Sequence, residues 1–502
     1  MKVVFLLFDS LNKAALNCYG GTRIDTPNFD RLAAKSVRFD RHYVGSMPCM
    51  PARRDMHTGR LNFLHRSWGP LEPFDKSFVK QLRNAGTYTH LVTDHFHYFY
   101  EGGGTYHTQY SSWDFVRGQE GDRWKAMVEP PMDRFEQLYH PHQTSPEDER
   151  FVPHMVNRET IKTEADFPLA QCMARGFEFL EGNRDKNNWF LQLECFDPHE
   201  PFFAPERFRK DFPTDYDGPI LDWPRYSRVD ESAAEIDELR ANYAALVAMC
   251  DEYFGKVLDY FDEHDMWKDT TLVVSTDHGY LLGEHDWWAK NRMPFYNEIA
   301  NIPLFIAHPD HADQAGSVRT GLTQTMDLMP TFLDLFNQPV PDTVEGRSLL
   351  PLLAADGPNH EAVLYGIFGG ATNITDGRYT YFRYPVDVHE QEIYEYTLMP
   401  THQRSHFSAE TLAQSKLTEG FGFTKGMPTL QIPARKAPDG RVFGQGLIED
   451  TTTVLYDLEM DPGQTNPIEA PEVVARLERQ MVELMQRNEA PVESYPRLGL
   501  AP

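Results

Sequence analysis

The sequence predicts an α/β fold: a mixed, mainly parallel sheet flanked by helices, followed by a smaller α+β domain. Three observations carry that prediction. Short continuous apolar runs recur along the first part of the chain, the pattern of strands covered on both faces. Helical periodicity lies between them, as in chains that alternate strand and helix around a parallel sheet. Beyond the proline-rich stretch PVPDTVEGRSLLPLLAADGP (339–358) the rhythm shifts to shorter β-like pieces and one last helix. The expected division is residues 1–355 and 356–502.

The first apolar run, residues 3–8 of MKVVFLLFDS, closes at Asp9. A basic residue before an apolar run also suits an export signal, but no small-residue cleavage site follows. The segment is read as the first buried strand, and the protein as cytoplasmic. TPNFDRLAAKS (26–36) offers Thr26 as N-cap, Pro27 at the first helical position, and Phe29, Leu32 and Ala33 on one face. WFLQLECFDPHEPF (189–202) gives a second strand. A helix fits 238–263, where Tyr243, Leu246, Val247, Cys250, Phe254, Val257, Leu258 and Phe261 form an apolar stripe. It leads into a third strand in TTLVVSTDHG (270–279). In the smaller domain, GRYTYFRYP (377–385) and TTTVLYDLEM (451–460) read as strands and PEVVARLERQMVELMQ (471–486) as the closing helix. Residues 96–165 and 385–450 are weakly patterned and rich in aromatics and histidine. Such long irregular segments in an enzyme are more often binding loops than connectors.

Composition narrows the function. Acidic residues number 75 against 48 basic ones, a net charge of −27, which argues against a nucleic-acid partner. An anionic substrate has to be held by local arginine, lysine or metal charge. No apolar run is long enough to span a bilayer. Cys18, Cys49, Cys172, Cys195 and Cys250 are scattered, odd in number and without CxxC spacing, so neither a disulfide framework nor a cysteine zinc site is expected. Most read as small core residues.

Each of the three strands ends in a group able to bind a ligand or move a proton: Asp9, His199, and the pair Asp277 and His278. In an open parallel sheet the carboxyl ends of the strands share one crevice, and carboxylates with an imidazole gathered there suit a hard divalent cation. Each aspartate taken alone is as readily a helix or turn cap. Cys49 is the unusual cysteine. In SMPCMPARRDMHTGR (46–60), Pro51 can open a helix with Cys49 at its positive end and Arg53 one turn on, an anion-binding setting in which a thiol is expected to be acidic. The alternative is a structural cysteine in a proline-rich loop.

CMPARRDMHTGR resembles the maturation motif of the formylglycine-dependent sulfatases of the alkaline phosphatase superfamily, C-x-P-x-R with a TGR-like ending. FDSLNKAALNCYGG and IDTPNFDRLAAKSVRF resemble that family's opening strand, metal aspartate and first helix. STDHGYLLGEHDWWAKN resembles its second metal segment and lysine. DLMPTFLDLFNQPVPDTVEGRSLLPLL and VLYDLEMDPGQTNP resemble the close of its main domain and its smaller domain. The resemblance implies an alkaline-phosphatase-like fold and a sulfuric ester hydrolase whose Cys49 is oxidised by a formylglycine-generating enzyme. It further implies that Asp9, Asp277, His278 and the modified Cys49 hold one divalent metal. Calcium or magnesium is usual in the family, and manganese occurs in its phosphonate-cleaving relatives. Arg53 would steady the aldehyde hydrate, Lys290 grip the anionic group, and His199 act as general acid or base at the leaving oxygen. In that family a metal-acidified hydrate is the nucleophile, and its second hydroxyl then expels sulfate and restores the aldehyde, which is the mechanism the resemblance implies here.

The chain departs from the family in places. Many sulfatases have two adjacent acids in the first motif, where Ser10 follows Asp9 here. The segment AGTYTHLVTDHFHYF lies where the family has a Gly-Lys-x-His element, aligning Asp94 with the lysine and Phe96 with the histidine. Asp94, His95 and His97 are therefore the expected substrate contacts, His95 or His97 replacing the missing histidine. Asp277-His278 in place of Asp-Asn also occurs in phosphonate monoester hydrolases and phosphodiesterases of the superfamily, which form the alternative reading. A non-catalytic anion binder with an unconverted cysteine is a third. A small anionic ester or sulfated saccharide is the expected substrate, with Tyr98, Tyr106, Trp113 and Trp124 walling its pocket or packing a domain interface.

Overall fold

Residues 1–145, 148–291, 293–387, 392–434 and 451–502 are described by the computed structural model. Strand β1 (Lys2–Phe8) shows why the first apolar run has no polar alternation. Val4, Leu6 and Phe8 pack into one helical layer and Val3, Phe5 and Leu7 into the other. The strand is buried on both faces.

Its neighbours β5 (Trp189–Cys195) and β6 (Thr270–Ser275) run parallel to it, with Val3 opposite Phe190 and Thr271. Beyond β5 lie β3 (Tyr88–Thr93) and β4 (Ser112–Phe115). Beyond β6 lie β7 (Asn301–Ala307), β2 (Val37–Tyr43) and the two-residue β8 (Val318–Arg319). The order is β8-β2-β7-β6-β1-β5-β3-β4, with β9 (Thr323–Gln324) also on β2. Among the described strands of this sheet only β7 opposes its neighbours, so β1, β2, β3, β5 and β6 all end on one side of it.

Helices α1 (Pro27–Lys35), α3 (Pro168–Asn183) and α4 (Ala233–Glu263) cover one face, while α5 (Leu328–Leu335) packs on the other with Met50 and Met56 of α2 (Cys49–Thr58). Helix α1 starts at Pro27 as expected, but Thr26 is not its cap. Thr26 Oγ1 instead accepts from the Asn17 amide, and Asp251 of α4 accepts from the amides of Asn28 and Phe29 at 3.0 and 2.9 Å. Helix α4 begins five residues before the expected 238, at a Ser232/Glu235 capping box that precedes its apolar stripe.

The smaller domain is an antiparallel sheet of β10 (Val363–Gly366), β11 (Thr372–Thr375), β12 (Tyr379–Arg383) and β13 (Val454–Asp457). Leu477, Met481 and Met485, spaced four apart on α6 (Pro471–Arg487), pack with Leu364, Ile374 and Leu455 of the sheet and with Leu61, Phe63 and Leu64, just past α2. Residues 394–397, 416–418 and 429–433 form a further small sheet. Of the weakly patterned segment 385–450, residues 388–391 and 435–450 lie outside the described residues. No described helix is long and apolar enough to cross a membrane.

Candidate active site

Because five parallel strands end on one side, the segments that follow them meet. Asp9 follows β1, Asp94 to His97 follow β3, His199 lies four residues past β5, and Asp277 lies two past β6. The chain leaving β2 turns through residues 44–48 into α2, whose first residue is Cys49. Asp55 fixes that turn: its carboxylate accepts from the Ser46 amide and hydroxyl at 2.6 and 2.8 Å and from the Asn62 amide and Nδ2 at 3.0 and 2.6 Å. Burial still pushes Asp55 up to about 7. The smaller domain supports the same turn, since the Met47 amide donates to Gly366 O and the Gly366 amide to Gly45 O, at 2.8 and 3.0 Å.

One ligand atom each from Asp9, Cys49, Asp277 and His278 lies within 4.8 Å of the others, and all four residues are buried. His278 Nδ1 donates to Gly279 O at 2.9 Å, which leaves Nε2 with a free lone pair, 3.2 Å from Cys49 Sγ. Burial lowers His278 to about 4, so the ring is neutral, as a ligand must be. Burial and Asp277 push the Asp9 carboxyl up, whereas His278 and Arg53 hold Asp277 low against the same burial. Two carboxylates and a neutral imidazole whose ligand atoms converge, with Asp9 still short of compensating charge, fit a divalent cation. Ser10, where a second acid stands in the family, donates its hydroxyl to Asp9 Oδ1 and its amide to Asp277 Oδ1, at 2.8 and 3.1 Å.

The cysteine is not the acidic thiol expected of it. Burial and Asp9 raise its pKa well above the ordinary value, outweighing Lys290 and Arg53. Arg53 is also placed differently. Its Nη2, Nη1 and Nε meet Asp9 Oδ2, Asp277 Oδ2 and Glu194 Oε1 at 2.8, 2.6 and 2.7 Å, behind the cavity rather than in its wall. Glu194, unremarked in the sequence, is held in turn by Tyr98 Oη and Gln192 Nε2, both at 2.9 Å. The signal was present: Gln192 and Glu194 are the polar residues of an otherwise apolar, fully buried strand.

In front of this cluster is a cavity of about 240 Å³ lined by Cys49, Lys290 and His199. Lys290 Nζ donates to Ser10 Oγ at 3.0 Å and Glu200 Oε2 at 3.1 Å. Burial opposes its charge, but Glu200 and the site outweigh it and the pKa is raised. His199 Nδ1 donates to Glu200 O at 2.5 Å, leaving Nε2 unprotonated, and burial and Lys290 keep the ring neutral. Glu200 thus serves both neighbours, and nothing in DPHEPF distinguishes it from an ordinary loop acid.

The middle segment divides. His97 lines the cavity, while His95 stands behind it, Nδ1 3.7 Å from Asp9 Oδ2, with neither ring nitrogen hydrogen-bonded. Asp94 does not reach the substrate space. It accepts from the Phe196 amide at 2.7 Å and Gln119 Nε2 at 3.0 Å, bracing the chain after β5, and burial pushes it up to about 7. The four aromatics do not wall the cavity either. Tyr98 supports Glu194, Tyr106 donates to Gly69 O inside the core, Trp113 sits half-exposed on edge strand β4, and Trp124 lies under Lys125. The walls are Trp68, Tyr226, Phe368, Glu120, Arg150 and the loop His402–Ser405 of the smaller domain. Both weakly patterned segments do reach the cavity, through different residues.

The chain matches the Sulfatase family model over residues 2–338 and the model for the C-terminal part of N-sulphoglucosamine sulphohydrolase over residues 283–418. It is 28% identical over 391 residues to a multifunctional alkaline phosphatase superfamily protein of Trinickia caryophylli, covering 67% of this chain and 73% of that one. It is 26% identical over 405 residues to an N-acetylglucosamine-6-O-sulfatase of Bacteroides thetaiotaomicron, covering 71% of each. A solved structure described as a complex with its substrate D-glucosamine-2-N,6-O-disulfate shares the fold with a TM-score of 0.67 at 18% identity, over 97% of this chain and 98% of that one. The phosphonate monoester hydrolase of Agrobacterium radiobacter does so with a TM-score of 0.65 at 17% identity, over 98% and 96%. With the strand-end cluster in place and the family model spanning most of its length, the chain belongs to the sulfatase family of the alkaline phosphatase superfamily and is a hydrolase.

Proposed function

We propose that the protein hydrolyses an organic sulfate ester, using position 49 in its formylglycine form and one divalent cation. The observation that carries this reading is the convergence of Asp9, Cys49, Asp277 and His278 beneath a cavity that Lys290 and His199 also line. Calcium is the cation of choice, magnesium or manganese the alternatives. Bound there, it would acidify a hydroxyl at position 49 and stabilise charge on the transferred group.

The chain's own groups supply the rest. Position 49 starts a ten-residue helix, so the positive helix end faces the reacting centre. Lys290, anchored by Glu200, offers its ammonium to a sulfate oxygen. Neutral His199, its Nδ1 committed to Glu200 O, has Nε2 free to take a proton and return it to the leaving oxygen. Arg53 holds Asp9 and Asp277 at a fixed separation. Cys49 and Arg53 are each only 1% exposed, so a formylglycine-generating enzyme has to read them before the fold closes.

Cleavage of a phosphonate monoester or phosphodiester is the second reading. It is favoured by Asp94, which stands in place of the family's lysine and is turned into the protein, so that this segment brings no ammonium to the anion. Paired kinetics on 4-nitrophenyl sulfate and a nitrophenyl phosphonate decide between them, with protein whose conversion at Cys49 is verified by mass spectrometry. The expected result is a higher kcat/KM on the sulfate, abolished in Cys49→Ala. A preference for the phosphonate selects the second reading, and activity that survives Cys49→Ala sinks both.

A further inference from the structure

Glu200 lies behind the two groups that face the substrate, and it touches both. Its side chain is fully buried and stays out of the cavity wall, to which His199, Lys290 and Tyr226 contribute. Oε1 accepts from Tyr226 Oη, and Oε2 accepts from Lys290 Nζ at 3.1 Å. The same Oε2 stands 3.2 Å from His199 Nδ1. The Nδ1–H is therefore shared between the Glu200 carbonyl, at 2.5 Å, and the Glu200 carboxylate. Among the described residues, Glu200 is the one carboxylate paired with this ring.

The two acceptors serve different purposes. The carbonyl alone fixes the tautomer, with Nδ1 protonated and Nε2 free. Phe196, its ring centre 4.1 Å from that of His199, holds the imidazole by packing. Neither contact answers a charge. While His199 is neutral, the carboxylate charge is answered by Lys290. Once Nε2 has taken a proton, the ring becomes an imidazolium 3.2 Å from Oε2, in a buried setting that screens charge poorly. Lys290 opposes that cation, and Glu200, in contact with both, offsets the opposition. Glu120 also acts on the ring, but its charge is already paired with Arg150. An interaction that strengthens as the proton moves raises the rate rather than the affinity.

From this geometry we propose that Glu200 is a positioning residue for proton transfer: its carboxylate stabilises the imidazolium of His199 and so speeds departure of poor leaving groups. The proposal rests on the sulfatase reading with His199 as its acid, and it names the group behind that acid. The protons balance within the pair. Nε2 takes a proton from the attacking hydroxyl, while Nδ1–H stays between His199 and Glu200. As the bond from sulfur to the ester oxygen breaks, Nε2–H passes to that oxygen and the ring is neutral again. Glu200 remains ionised throughout, as the acid of a catalytic triad does.

The test reads kcat/KM on 4-nitrophenyl, 4-chlorophenyl, phenyl and 4-methoxyphenyl sulfate, whose phenols are progressively less acidic. It uses matured wild type, Glu200→Gln, His199→Ala and the double variant. Glutamine keeps the carbonyl and the side-chain shape, so the charge is what it removes. Glu200→Gln is expected to lower the phenyl sulfate value about 100-fold, and the 4-nitrophenyl sulfate value by a factor about ten times smaller. The dependence of rate on phenol acidity thus steepens. In the His199→Ala background the same substitution should leave that slope unchanged, because the group it serves is gone. A loosened Lys290 or partial unfolding lowers every ester alike and drops out of the slope. Equal slopes for wild type and Glu200→Gln overturn the proposal, as does a steepening that persists without His199. Wild type that cleaves aryl phenylphosphonates but no aryl sulfate sinks the sulfate reading alone, and slopes along that series then judge Glu200 by the same outcomes. Wild type inactive on both series sinks both.

Discussion

Arg53 carries one positive charge into a site where Asp9, Asp277 and Glu194 all touch it. Two of these are candidate metal ligands, and the third anchors the guanidinium from behind. Glu194→Gln removes the anchor's charge while keeping its shape, so Arg53 is drawn onto Asp9 and Asp277 and competes for the oxygens a cation needs. The expected cost is about 3 kcal/mol, the usual scale for removing one partner of a buried ion pair, read by urea unfolding, together with a weaker metal affinity in calorimetry. Wild-type stability and affinity in this variant would show that Glu194 is a passive neighbour. The contrast with Cys49, Asp277 and Lys290 explains what the sequence discloses at this scale. Those residues sit in local motifs whose spacing alone is informative. Glu194, Glu200 and Glu120 act through partners 141, 90 and 30 residues away, and no local pattern records such pairings. Asp94 shows the converse: alignment within its motif put it at the substrate, yet two donors from neighbouring segments turn it inward.

Helix α2 delivers position 49 to the site, and its length is set at both ends. Pro48 and the Asp55 clasp fix the start, and Gly59, left-handed at φ +68°, ends it where a Cβ would lie 2.6 Å from Val344 Cγ1. The start was legible from Pro51 and the thiol, because proline near a helix N-terminus is a local signal. The burial of every residue from Cys49 to Thr58 was not, because an element covered on all sides shows no amphipathic stripe. One result is that His57 lies inside the protein, at 2.9 Å from Ser77 Oγ, and burial with Arg53 lowers it to about 3. Its folded pKa is below the unfolded value near 6.5. The unfolded chain therefore binds the extra proton first, and the contribution of neutral His57 is complete above pH ~6.5 and lost as pH falls toward 3. His57→Gln, neutral at all pH values, isolates this effect. Between pH 6.5 and 4.5 the stability of wild type relative to the variant should fall by about 2 kcal/mol in all, the slope steepening to about 1.4 kcal/mol per pH unit below pH ~5.5. Parallel curves from urea titrations at pH 7.5, 6.5, 5.5 and 4.5 would refute it.

At the scale of the molecule, the site is a junction. The candidate ligands come from the ends of β1 and β6 and the start of α2, and the smaller domain closes the cavity with His402–Ser405 while bracing the turn before Cys49. The sheet and the closing helix were legible because apolar runs and periodicity are local. The cavity wall was not, because it is assembled from segments more than 300 residues apart with no repeating pattern. A cation held at the junction would tie together elements far apart in sequence and offset the repulsion between Asp9 and Asp277, so it should stabilise the whole fold. A divalent ion at about 100 times its dissociation constant contributes ~2.7 kcal/mol, which for a chain of this size is an upward shift of the melting midpoint by about 2–4 °C. Calcium, magnesium and manganese added in turn to chelator-treated protein should each be ranked by this shift, with calcium largest. Asp277→Asn removes a ligand charge and should abolish the increment while leaving a cooperative melt. If every cation leaves the wild-type midpoint unchanged, or if Asp277→Asn responds as wild type does, the cluster at the strand ends is not a metal site, and Arg53 alone balances its carboxylates.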